Sequence, residues 1–126
     1  MTVLTQPPTL GDILKYELNP NFTRETITLL AGTAYPVGAV LGRITASSKY
    51  KLATSGGTDG AQTAAAVLLY PVDASGADGP GIIIARGPAI VSKATLVFDS
   101  TVDDAAKTTT KHGQLAAVGI IPRDTA

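Results

Sequence analysis

Short apolar runs separated by polar bends set the pattern of this chain, and most of them carry the period of a strand. In residues 24–32, RETITLLAG, Ile27 and Leu29 point one way while Thr26 and Thr28 point the other, the alternation of a half-buried strand. Residues 12–16 predict another strand, with the turn signal Asn19-Pro20-Asn21 between the two and Phe22 placed to plug the core. Residues 34–66 then organise the centre. Val37, Val40, Leu41 and Ile44 make a strand-like run, Ser47 and Ser48 a bend, and Tyr50 and Leu52 a resumed strand. The chain next enters Ser55-Gly56-Gly57-Thr58-Asp59-Gly60, where Gly56, Gly57, Asp59 and Gly60 are read as a structural turn. Asp59-Gly60 between extended runs is a hairpin signal, though this loop is long for a two-residue turn.

Residues 64–72 are apolar enough for a buried central strand, entered through one helical turn in the alanine-rich residues 61–66. Residues 73–81 read as loop, 81–91 as two short apolar runs broken by Gly87-Pro88, and 94–98 as another strand. One helix is expected, over residues 102–111. Ser100 or Thr101 would cap it, Asp103 and Asp104 sit in its first turn, Lys107 and Lys111 lie toward its end, and Gly113 would stop it. Thr108-Thr109-Thr110 opposes its last turn. Residues 114–122 close the chain as a strand. The fold class expected is mainly β: one β-rich domain over residues 12–126 with seven to nine short strands, a short helix in the C-terminal half, and an extended N-terminal arm over residues 1–11.

The arm has a composition of its own. It carries no charged side chain, and Pro7-Pro8 excludes helix. Val3, Leu4 and Leu10 are apolar and Thr2, Thr5 and Thr9 are β-formers, so with Gln6 the segment suits strand addition to another protein's sheet edge. A frayed terminus is the competing reading, and the residues alone favour it.

Composition narrows the function by exclusion. Ten basic and ten acidic side chains give a net charge of zero, which provides no global field for nucleic acid or an anionic membrane. No cysteine is present, so disulfides and thiolate metal sites are excluded. No apolar run approaches the ~18 residues of a membrane span, and residues 1–10 do not read as a signal peptide. A core poor in aromatics and rich in small residues is thin, which favours oligomerisation. His112 is the sole histidine, so one chain cannot build a two-histidine metal site or relay; it reads as an exposed helix-end residue. No Gly-x-Ser-x-Gly elbow or P-loop ending occurs, and Asp103-Asp104 reads as a helix start. Arg43, Lys49 and Lys51 around Tyr50 read as a solvated bend. No catalytic residues, cofactor or metal are expected.

The segments VLGRIT, KYKLA, GGTDGAQTAAAVLLYPVDAS and HGQLAAVGIIPR carry a resemblance to the head decoration proteins of lambda-like bacteriophages. The resemblance implies a β-rich capsid-stabilising protein that grips the shell with its N-terminal segment. It implies a homotrimer at three-fold and quasi-three-fold positions on the outside of the expanded head. The major capsid protein of the same phage would be the partner, with assembly in the host cytoplasm and no role for nucleic acid or membrane. On that reading Thr2, Val3, Leu4, Thr5, Gln6, Pro7, Pro8, Thr9 and Leu10 form the capsid-binding arm, named as a segment on physical grounds because the family's contact residues do not transfer individually. Two rivals remain from the residues themselves. A carbohydrate-binding module would need platforms from Tyr16, Tyr35, Tyr50 and Tyr70, and a small hydrolase would need His112.

Overall fold

The short runs become ten strands and two helices across residues 13–124, the part of the chain that the computed structural model describes. Five strands close a barrel in the order β2 (Arg24–Leu29), β5 (Tyr50–Leu52), β4 (Val40–Arg43), β6 (Ala64–Leu68) and β8 (Gly79–Ile84). β8 returns to β2 antiparallel from Arg24↔Ile84 to Leu29↔Gly79, which closes the ring and removes its free edges. Leu29, Leu41, Ala66, Leu68 and Ile83 fill the interior with Ala39, Ala74 and Tyr35. So narrow a barrel admits few large side chains. A Cβ on Gly81 would come within 2.9 Å of Leu29 Cδ1, which explains why small residues recur in the interior.

A second sheet lies outside the barrel: β1 (Leu14–Glu17), β9 (Ala89–Ser92) and β10 (Ile120–Arg123), with β9 in the middle. β1 runs antiparallel to β9, whereas β10 runs parallel to it. Parallel neighbours need a crossover, and the chain makes it through a 3-10 turn at Lys93–Thr95 and helix α2 (Ala105–Ala117). Ile13, Val40, Val67, Ile84, Val91, Leu115 and Ile120 form a second core between this sheet, the barrel and α2. A two-stranded ribbon, β3 (Ala34–Tyr35) with β7 (Val72–Asp73), and a single-turn helix α1 (Pro20–Thr23) complete the described residues.

Two backbones touch where β9 and β10 begin. A Cβ on Gly87 would overlap the Gly119 carbonyl, and Gly119 has φ +86, so both positions need glycine. Gly87 N–H donates to Val118 O at 2.9 Å and Ala89 N–H to Gly119 O at 3.1 Å, which starts the parallel pairing.

The mainly β class is as expected, but several local expectations are corrected. β5 and β6 do not form a hairpin across Asp59-Gly60; both pair with β4, because the intervening loop carries the chain over that strand. Asn19 caps α1 instead of entering a simple turn, its side chain accepting from Asn21 N–H at 2.9 Å. Phe22 is 51% exposed, under the Arg86 guanidinium, rather than plugging the core. Residues 94–98 give the 3-10 turn and one isolated bridge, Val97 to Ala39. Helix α2 starts three residues late and ends past Gly113. Asp104 caps it by accepting from Lys107 N–H at 2.8 Å, while Asp99 occupies Thr101 in a turn of its own. The threonine triplet is tolerated because each hydroxyl donates back to the carbonyl four residues earlier on the exposed side.

Candidate docking surface

The expected arm, residues 2–10, falls outside the described residues, but the place it springs from is defined. Ile13 is fully buried and leads directly into β1. Cross-strand register puts Tyr16 opposite Ile90 and Ile90 opposite Ile121. Their neighbours Ala89, Val91 and Ile120 are buried in the second core, so Tyr16, Ile90 and Ile121 line the outer face. Tyr16 is 48% exposed and Ile121 39%; Leu18, 57% exposed, follows β1 with its N–H donating to Pro88 O. Ile90 is half-buried between Tyr16 and Ile121, so the apolar row is exposed at its two ends. Sequence reasoning missed it. β1 slips in register between Leu14 and Tyr16, so the face each side chain occupies could not be counted from the turn.

The glycine-rich loop is bound up in itself. Asp59 Oδ1 accepts from Ala61 N–H at 3.0 Å, Gly60 N–H donates to Gln62 Oε1 at 2.8 Å, and Thr54 Oγ1 donates to Gly56 O at 2.9 Å. Gly57 and Gly60 both have positive φ, and a side chain on Gly60 would strike the Arg43 carbonyl and Thr45. The Gly60 and Ala61 amides are therefore occupied within the loop, and the Ser55 amide is held by Thr101 Oγ1 at 3.0 Å. The basic cluster is likewise engaged. Lys51 pairs with Asp59 at 2.7 Å, Lys49 with Asp78 at 2.6 Å, and Arg43 donates to Ser48 Oγ at 2.7 Å.

His112 stands mid-helix, not at an exposed helix end. Its ring packs on Phe98 with centroids 5.8 Å apart, and Nε2 is enclosed with no hydrogen-bond partner among the described residues. Burial pushes its pKa down, Lys93 adds to the shift and Asp124 opposes it. Lys111 beside it is 1% exposed; its ammonium donates to Gln62 O and to Gln114 Oε1 at 3.2 Å, and burial lowers its pKa too. Gln114 Oε1 also accepts from Ala64 N–H at 2.8 Å, so these residues tie α2 to the barrel.

A family model for the bacteriophage lambda head decoration protein D matches residues 3–120. The chain belongs to that family. No individual curated protein matches it at significant similarity. A head decoration protein is a structural component of the phage particle, and its work is binding to the capsid. The residues required by the rival readings are placed accordingly. Tyr35 is buried with its hydroxyl donating to Leu30 O at 2.7 Å, and Tyr50 packs against the barrel core, which leaves only Tyr16 and Tyr70 exposed. Among the described residues His112 Nε2 has no hydrogen-bond partner, a hydroxyl included.

Proposed function

We propose that this head decoration protein acts as a homotrimer on the outside of the expanded phage head, at three-fold and quasi-three-fold positions, and cements the shell against the pressure of packaged DNA. Residues 2–10 add as a strand to a sheet of the major capsid protein. The family match carries the reading, because it begins at residue 3 and so includes the uncharged segment together with the body. Backbone hydrogen bonds supply the grip, and side chains such as Val3, Leu4 and Leu10 enter pockets between them. Three arms per trimer act together, so contacts that are individually modest hold for long times. The mechanism is binding alone, without cofactor or metal.

The test mixes purified protein with undecorated expanded heads and counts bound copies by electron microscopy, for the full chain and for a chain lacking residues 1–10. The full chain is expected to saturate as trimers and to protect heads from heat. The shortened chain should keep its oligomeric mass and bind at least about tenfold more weakly. Equal occupancy by the two chains overturns the arm mechanism, and no occupancy by the full chain overturns the decoration reading itself.

A further inference from the structure

We infer that Lys51 and Lys49 guard two sites of backbone isomerisation, Asp59-Gly60 and Asp78-Gly79, by fixing each carboxylate against attack by the backbone amide that follows it. In that reaction the glycine nitrogen attacks the aspartate Cγ: an N–Cγ bond forms, the Cγ–OH bond breaks, and the hydroxyl leaves with the amide proton as water. Water then reopens the cyclic imide. When it breaks the bond between that nitrogen and the aspartate main-chain carbonyl, the backbone runs on through the β-carboxyl as isoaspartate. Glycine is the most permissive residue to follow the aspartate, because no side chain hinders its nitrogen or its backbone. The chain has two Asp-Gly pairs and no Asn-Gly. Both are gripped from one tripeptide. Tyr50 packs toward the barrel core, and Lys49 and Lys51 flank it on the opposite side of the strand. Lys51 Nζ reaches Asp59 Oδ2 at 2.7 Å, and Lys49 Nζ reaches Asp78 Oδ2 at 2.6 Å. The other oxygen of each carboxylate accepts from a backbone amide, Ala61 N–H at 3.0 Å and Ala31 N–H at 2.7 Å. At the first site the attacking group is engaged as well, since Gly60 N–H donates to Gln62 Oε1 at 2.8 Å. A carboxylate fixed at both oxygens does not turn freely to present its carbon to the next nitrogen. The ammonium also favours the ionised form, which has no hydroxyl to lose, and both acids are held below the usual carboxylate range by their lysines first and these amides next. The ion pairs are partly exposed and so add little to folding stability, which leaves the reaction as the place where their loss is felt. A phage particle makes no protein, so a backbone rearranged in one is not replaced.

The test incubates the full chain and its Lys51→Met, Lys49→Met and Lys51→Arg variants at about pH 6, where an ordinary carboxyl is still about 1% protonated. Isoaspartate at each site is read by peptide mass spectrometry with electron-transfer fragmentation, beside the melting temperature of each protein and a urea-unfolded sample of the wild type. Lys51→Met is expected to speed isoaspartate formation at Asp59 about fivefold or more and to leave Asp78 unchanged, and Lys49→Met to do the reverse. Lys51→Arg keeps the charge and should stay within about twofold of wild type. The unfolded wild type should exceed the folded one at both sites. Each site is thus the control for the other. A wild-type rate at Asp59 in Lys51→Met, or at Asp78 in Lys49→Met, overturns the proposal, as does a Lys51→Arg rate equal to that of Lys51→Met. An equal rise at both sites in either variant overturns it too, because that reports general loosening of the fold. So does a folded wild type that isomerises as fast as the unfolded chain. None of these readings depends on whether the protein binds heads, so decoration stands or falls by its own test.

Discussion

At the scale of single residues, His112 links acidity to stability. Its ring is packed on Phe98, and the enclosed Nε2 has no hydrogen-bond partner among the described residues. Burial and the nearby Lys93 hold its folded pKa below the ordinary value of 6.5, against the pull of Asp124. The folded protein therefore resists taking up a proton that the unfolded chain accepts readily. The stabilisation is complete above about pH 6.5 and is lost as pH falls from there toward the folded value. Melting temperature should drop between about pH 7.5 and about pH 5, and His112→Leu should flatten that slope; the same slope in the variant would assign it to other groups. Glu17 and Asp78 titrate lower. Hydrogen bonds from Arg24 and Thr23 hold Glu17 below its usual range despite the opposing effect of burial, and Lys49 and the Ala31 amide hold Asp78 there. The sequence identified His112 as the sole histidine but misplaced it, because its surroundings depend on where α2 ends.

At the scale of elements, α2 runs straight through the glycine expected to stop it. Gly113 is exposed, lacks a positive φ, and a Cβ there would meet nothing within 4 Å. Leu115 and Lys111 hold the last turns against the body, so tertiary burial overrides local preference. Gly113→Ala should raise unfolding free energy by about 0.5–1 kcal/mol, read from the midpoint of urea denaturation, because alanine loses less backbone entropy in a helix. No gain would mean that the helix frays there. Strand positions were largely legible, since the Ile27/Leu29 and Thr26/Thr28 alternation needs only neighbours in sequence. Pairing was not legible. Nothing local to residues 50–68 says that β5 and β6 flank β4 rather than each other, and the Asp59-Gly60 signal points the wrong way. The cap was not legible: the sequence points to Ser100 or Thr101, but the helix starts later and Asp104, read as a first-turn residue, caps it by accepting from Lys107 N–H.

At the scale of the molecule, the mainly β class and the family were readable from composition and from segments such as HGQLAAVGIIPR, whereas barrel closure and the outer apolar row emerge only in three dimensions. The charge balance makes a further prediction. With net charge zero and no charged side chain in residues 1–11, the decoration proposed above should show an affinity for heads that changes by less than about threefold between ~0.05 and ~0.5 M salt; a steep decline would place charged pairs at the centre of the contact. The order of strands in the outer sheet has a consequence for synthesis. β9 is flanked by β1, from the start of the described chain, and by β10, from its end. During translation the sheet cannot be completed until residue 123 has left the ribosome, so a product that stops short of it would leave one edge of β9 unpaired and open to pairing with another chain.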